Sequence, residues 1–447
     1  MGSSDQQLQD ICQLIVDCPH SSAKDEGAGY PLIRTPNVGR GRLILNGVQR
    51  VSRSVYLERV SRAVPRQGDL ILAREAPAGN VAIIDSDYPV CLGQRTMLLR
   101  PDNNLVNPYF LVYYLNAPEQ RARLLRLSNG ATVPHVNVAD VRAFPVHLPT
   151  RARQDRIASV IKPIDDILTL HACTNGYLAA LIAARFAEDF GDDCHTARLG
   201  DVLRISTKTA KPQDHAGEIW EHYSIPAFDE SHRPVMEPAN EIKSNKYIVS
   251  RNSILISKLN PSIKRFWLPA CLTDHPVCST EFIVFEPTRP ENKSFYSAAI
   301  SSNNFQNYLM AHVTGSTGSR QRAQPKSTLD FPMPNPSESE IHKFCSFADP
   351  IYAQMECCTR ESANLERLRD TLLPKLMSGE IDVSKIEVPT SPNSHLPDFR
   401  KDIWKDCLHA CSTVARRLTH RGKTTAVRKR RRQAMRRASP MLAHSPA

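Results

Sequence analysis

Residues 149–184 read PTRARQDRIASVIKPIDDILTLHACTNGYLAALIAA, and residues 336–372 read PSESEIHKFCSFADPIYAQMECCTRESANLERLRDTL. Each stretch opens on a proline and then repeats apolar residues three and four apart. In the first these are Ile157, Val160, Ile164, Ile167, Leu178, Leu181 and Ala184. In the second they are Phe344, Phe347, Ile351, Met355, Cys358, Leu365, Leu368 and Leu372. That spacing puts the apolar side chains on one face of an α-helix, and about 35 residues rising ~1.5 Å each make rods of about 50 Å. An ordinary amphipathic helix lying on its own domain would show the same period. Two matched seams in one chain are better buried against each other, as in a coiled coil.

The match between the two stretches extends upstream. Shifting the chain by 187 residues lays Pro89-Val90-Cys91 on Pro276-Val277-Cys278, Phe144-Pro145 on Phe331-Pro332 and Pro163-Ile164 on Pro350-Ile351. With a shift of 184, Asp69–Arg74 falls on Ser253–Lys258, so a three-residue insertion lies between. The 447 residues therefore read as two divergent copies, about 1–191 and 195–382, followed by a tail. The front of each copy has short apolar runs, such as Asp69–Ala73, Val81–Ile84 and Thr96–Leu99, punctuated by Gly, Pro, Asn and Asp. That is strand-and-turn texture, with a helix expected near Pro108–Arg126. Before Tyr30 no opening strand is evident.

Composition removes several classes. Apolar residues are 41% of the chain and charged residues 23%, ordinary for a folded soluble protein. The longest unbroken apolar runs, such as Tyr109–Leu115, fall short of the roughly 20 residues that span a bilayer. No secretory leader is visible in Met1–Leu14, so the 12 cysteines are expected as reduced thiols in the cytoplasm. Residues 386–447 hold +10 of the net charge of +11, which leaves the folded part almost neutral. The tail, with Arg428–Arg432 and Arg436-Arg437, has the like-charge blocks of a solvated segment.

Motifs for catalysis are missing. There is no phosphate-binding glycine loop, and Gly39-Arg40-Gly41 is too short for a dinucleotide site. Asn107-Pro108-Tyr109-Phe110 lacks the second proline of an adenine-methyltransferase loop and reads as a helix start. Cys12, Cys18 and His20, or Cys407, His409 and Cys411, lack the paired spacing of structural zinc. Local basic surface is present instead. Nine arginines lie between Tyr30 and Arg74 against Glu58 and Asp69, and six Lys/Arg lie between Lys243 and Arg265 with no acid. Thr314–Arg322 is a polar loop ending in Arg320 and Arg322. Such residues neutralise phosphates and read guanine and adenine edges, although each alone is also an ordinary solvated residue.

Residues 365–381, LERLRDTLLPKLMSGEI, resemble the closing segment of the specificity (S, HsdS) subunit of type I restriction–modification systems. The stretches GATVPHVN (130–137), SKLNP (257–261) and GSTGSR (315–320) resemble that family's recognition domains. The resemblance covers about residues 30–383. It implies an α+β fold with two β-rich target recognition domains, at 1–149 and 195–335. Long helices at 150–191 and 336–383 follow them and pack as an antiparallel coiled coil, and a disordered linker and basic tail occupy 384–447. Three departures stand out: Ile341 where the first copy has Gln154, the ending Phe186–Gly191 of the first copy, and the tail itself.

The resemblance also implies a function. The subunit would have no active site, each domain would read one half of a split double-stranded DNA target, and the helices would set the spacing. Two modification (methyltransferase) subunits would dock on it, and restriction subunits (translocase and nuclease) would join them. S-adenosylmethionine, ATP and magnesium would belong to those partners, with none in this chain. Metal and membrane are not expected. The candidate DNA contacts are Arg34, Arg40, Arg42, Arg74 and His135 in the first copy. In the second they are Lys258, Asn260, Lys264, Arg265, Arg320, Arg322 and Lys326. A coiled-coil scaffold with protein-binding heads is the competing reading; it predicts little salt dependence of any DNA affinity, against the steep dependence expected where phosphates are neutralised.

Overall fold

The computed structural model describes residues 4–386, apart from 46, 76–77, 128–134, 192–194 and 315–320. The tail, and with it the expectation of disorder beyond residue 386, lies outside the described residues. The expected linker start does not hold, because Val383–Lys385 form a turn of helix with Val383 buried, and Arg156 of the first long helix donates to the Val383 and Ile386 carbonyls.

The strands of the first half are β1 (Ser4–Gln7), β2 (Cys12–Asp17), β3 (Tyr30–Ile33), β4 (Gly41–Arg42), β5 (Arg50–Val51), β6 (Leu70–Ala73), β7 (Val81–Ile83), β8 (Cys91–Leu92), β9 (Thr96–Pro101) and β10 (Pro145–Leu148). They form sheets in the orders β2-β9-β6-β7-β4 and β5-β3-β8, with β1 paired to β10. The second half has β11 (Thr196–Arg198), β12 (Leu203–Ser206), β13 (Thr209–Ala210), β14 (Ile219–Tyr223), β15 (Val235–Pro238), β16 (Lys246–Ile248), β17 (Ile254–Ser257), β18 (Phe266–Trp267), β19 (Pro276–Cys278), β20 (Phe282–Pro287), β21 (Val313–Thr314), β22 (Arg322–Ala323) and β23 (Pro332–Pro334).

The repeat read from the prolines reappears as topology. The order β12-β20-β17-β18 copies β2-β9-β6-β7, β11-β23 copies β1-β10, and the parallel pair β14–β19 copies β3–β8. All four residues of β6 and of β17 are buried, as their unbroken apolar runs require of strands covered on both faces. Two expectations are corrected. The chain before Tyr30 does carry strands, β1 and β2, and Leu8, Ile11 and Ile15 between and within them enter the core. The single helix near Pro108–Arg126 is two, Pro108–Asn116 and Pro118–Arg126, because Pro118 cannot donate to a continuing helix. Asn107 caps the first of these by accepting from the Tyr109 and Phe110 amides (2.8 and 3.2 Å), which makes the Asn-Pro-Tyr-Phe run a helix start.

The two long helices run Arg151–Phe190 and Glu338–Ser378. Thr150 caps the first, accepting from the Arg153 amide, and a Ser337/Glu340 capping box starts the second. Gly379, at φ +85°, ends the second in a left-handed turn. Side-chain bonds join them in opposed order. Asp165 meets Arg369 (3.0 Å), His171 meets Ser362 (3.0 Å), and Arg153 near the start of one donates to Leu376 near the end of the other (3.4 Å).

Each helix begins on its own half and finishes in the core of the other. Ile157 and Ile161 pack with Leu373 and Leu376 in the first-half core, while Ile182, Phe186 and Phe190 pack with Ile341 and Phe344 in the second. This explains two of the sequence departures. Phe186 and Phe190 are retained because their rings lie 5.1–5.6 Å from those of Phe295 and Phe344. Gln154 is buried because its amide bonds the Asn107 amide and the Pro149 carbonyl (both 2.9 Å), whereas Ile341 sits in an apolar pocket. By length and composition the first long helix is apolar enough to cross a membrane, since the interrupted seam raises its mean hydropathy without forming one apolar run.

Candidate nucleic-acid interface

In both halves the loop that leaves the central buried strand meets a second polar loop. In the second half the segment after β17 is bonded to the β21–β22 hairpin. The Asn260 amide donates to the Gln321 carbonyl, and the Ala323 amide to the Lys258 carbonyl (both 2.9 Å). Asn260 holds φ +45°, a conformation asparagine tolerates better than most residues. In the first half the segment after β6 makes the equivalent junction, the Val136 amide donating to the Arg74 carbonyl (3.1 Å). A further bond is shared by both. The Arg74 amide donates to the Arg95 carbonyl, and the Lys258 amide to the Glu281 carbonyl (both 2.9 Å). Arg95 and Glu281 each stand immediately before the neighbouring strand, β9 or β20.

Charge fills these junctions differently. Arg322, half-exposed, lays Nε and Nη2 on the Glu281 carboxylate at 3.0–3.2 Å, which holds its guanidinium above its ordinary pKa. In the first half Arg95, also half-exposed, places Nε 2.7 Å from Glu75. His135 lies across from the same carboxylate at 3.7 Å, and its Nε2 lies 2.7 Å from Arg74 Nη2. A guanidinium can only donate, so Nε2 is the acceptor there and Nδ1 carries the proton towards Glu75.

Several sequence candidates are engaged within the protein. Arg74 is buried, with Nη1 on Asp17 (2.6 Å) and Nε on the Val136 carbonyl (2.9 Å). Arg265 is buried in a two-pronged pair with Asp229 (2.6 and 2.8 Å). Both guanidiniums are spent on the protein's own carboxylates and do not face outward. Arg42 points to the first long helix, donating to the Thr169 hydroxyl (3.1 Å) and the Asp165 carbonyl (3.5 Å), and burial pulls its pKa down. Arg34 is half-buried, with a buried Nε.

The remaining candidates stand apart or together as follows. Lys258, Asn260 and Arg322 share the second-half junction, and His135 occupies the first-half one. Arg40 and Lys326 are exposed elsewhere, and the Lys264 ammonium is bonded to the Ser301 carbonyl. Arg320 lies outside the described residues. Sequence reading missed Arg95, Glu75 and Glu281. Arg95 and Glu281 lie 186 residues apart, off both repeat offsets, so the repeat gave no direct signal for them.

Between the halves, a polar cluster occupies the middle of the helix pair. Gly41, at φ +98°, brings the chain so close that an added Cβ would lie 3.2 Å from Asp165 Oδ2. Arg369 pairs with that aspartate, and Arg233 of the second half pairs with Glu366. Arg42 from one half and Arg233 from the other are thus moored to adjoining levels of the same two helices.

A family model for the type I restriction modification DNA specificity domain matches residues 3–175. Over that span the chain is similar to specificity domains of this kind. The matched span runs from β1 into the first long helix, so it includes the Arg95–Glu75–His135 junction. Similarity to specificity subunits extends further. The MjaIX specificity subunit of Methanocaldococcus jannaschii is 21% identical over 374 residues, covering 77% of this chain and 84% of that protein. The EcoBI specificity subunit of Escherichia coli is 23% identical over 154 residues, 34% of this chain and 31% of its own. Among solved structures, the S subunit of a type I restriction-modification system from M. genitalium aligns with 84% of this chain and 96% of its own at 16% identity and a TM-score of 0.43.

Proposed function

We propose that this chain is the DNA sequence-specificity subunit of a type I restriction–modification complex. The observation that carries the reading is the doubled head. Two halves with the same strand order present equivalent loop junctions, and two antiparallel helices hold them in one body. Each half, as a target recognition domain, reads one part of a bipartite target in the major groove, and the helices act as an antiparallel coiled-coil spacer between them. Major-groove faces recur about every 34 Å along the duplex, so spacer length sets the number of unread base pairs.

Modification subunits dock on the helices. Ile167, Leu170 and Leu181 support this: the period put Ile167 and Leu181 on the seam, yet all three are exposed and leave apolar surface on the first long helix. Restriction subunits join through the modification subunits. Catalysis, with S-adenosylmethionine, ATP and magnesium, resides in those partners in the cytoplasm. Among the described residues no group of His, Cys, Asp and Glu is arranged to hold a metal ion. Co-expression with a modification subunit, followed by genome-wide mapping of methylated adenines, is expected to yield a motif in two parts with a fixed gap. A single contiguous motif, or methylation independent of this chain, would overturn the reading.

A further inference from the structure

We propose that Arg95 and Arg322 are the guanine-reading residues of the two halves, and that Glu75 and Glu281 are the positioning residues that aim them. This rests on the DNA-specificity reading and adds to it the residues and the base.

A guanidinium has two bidentate edges. One is Nε with the near N–H of Nη2, and the other is the terminal edge of Nη1 and Nη2. Glu281 occupies the first edge of Arg322 with both oxygens. The terminal edge has no partner among the described residues, and that is the edge whose two donors match guanine O6 and N7. Arg95 makes a single Nε contact, 2.7 Å, with one oxygen of Glu75.

The supports are deeper than the arginines they hold. Glu75 is 14% exposed under an Arg95 that is 57% exposed, and Glu281 is 26% exposed under an Arg322 that is 47% exposed. Each pair therefore points its arginine outward with its rotamers already fixed, which lowers the entropy lost on reading a base. Arg95 also keeps a left-handed backbone, φ +66°, with its amide on Cys18 Sγ (3.2 Å) and its carbonyl on the Arg74 amide. Non-glycine residues hold that conformation at a cost, typically where a site demands it.

The two halves reach the arrangement by opposite routes. At the position before the strand, the first half has the arginine and the second half the carboxylate. Across the junction the partners come from different segments, Glu75 from the loop after β6 and Arg322 from the β21–β22 hairpin, so the ion pair recurs without its positions matching. A pair kept only for stability would not need its arginine outermost in both.

The test is selection of binding sites from random duplex DNA by the full-length chain and its variants, with thermal unfolding measured alongside. The wild type is expected to select a two-part motif with a guanine in each part. Arg95→Lys should lose the guanine preference at one position of one part by about 5- to 150-fold, and Arg322→Lys the same in the other part. In each variant the second part should stay intact. Glu75→Gln and Glu281→Gln should blunt preference at the same two positions without moving the rest. The double variant Glu281→Gln/Arg322→Gln removes the ion pair whole, and should lose its guanine with thermal unfolding little changed. A two-part motif unchanged in both lysine variants and in this double variant would overturn this inference while leaving the DNA reading intact. A wild-type chain that selects no motif would overturn both.

Discussion

Asp165→Ala is expected to lower unfolding stability by about 3–5 kcal/mol, measured by urea denaturation at neutral pH. Asp165 is largely buried, 14% exposed, at the point where the first half, the first long helix and the second long helix meet. Burial raises its carboxyl pKa against the opposing pull of Arg369, and its carboxylate accepts from Arg369 Nη1 at 3.0 Å. Arg42 donates to the carbonyl of the same residue. Removing the carboxylate leaves a largely buried Arg369 beside Arg42 with only the exposed Asp370 to neutralise it, and the cost of a poorly compensated buried charge sets the size of the loss. Replacing both Asp165 and Arg369 by methionine should recover most of it, because a buried pair gains little over apolar residues of similar volume. A loss below about 1 kcal/mol in the single variant would mean that solvent reaches the cluster and that it does not hold the halves to the helices.

Phe344→Ala is expected to cost about 3–5 kcal/mol, the range for emptying a buried aromatic site. Its ring lies 5.6 Å from both Phe186 and Phe190 and 6.1 Å from Phe295, mostly edge-on. The cavity would therefore open where the end of one helix, the start of the other and the second-half core converge. Differential scanning calorimetry on the full chain should show the loss. Phe344→Leu, which refills much of the volume, should cost markedly less. Equal losses in the two variants would mean that ring geometry rather than filled volume sets the stability there.

The features that could be read from sequence are those that depend on local rules. The helices were legible because a three-and-four period survives interruptions such as Pro163 and Pro350, and the duplication because prolines and strand ends are sparse and ordered. Strand β1 was not legible, since Ser-Asp-Gln-Gln has no apolar alternation and is held by pairing with β10, 140 residues away in the chain. The surroundings of the candidate arginines were hidden in the same way. Arg74 and Arg265 resemble surface arginines until Asp17 and Asp229, distant in sequence, are folded against them. Conversely, Arg95 is exposed beside Glu75 but sits in a turn that no period or motif of the sequence marks.

The central claim is that the helix pair fixes the distance between two DNA-reading heads. Its most direct test lengthens both long helices by the same seven residues near the His171–Ser362 level, preserving the seam and adding about 10 Å. The selected motif should keep both parts, with a gap longer by about three base pairs at the ~34 Å and 10–10.5 base pairs of a duplex turn. A gap of unchanged length, with both parts still read, would contradict the account.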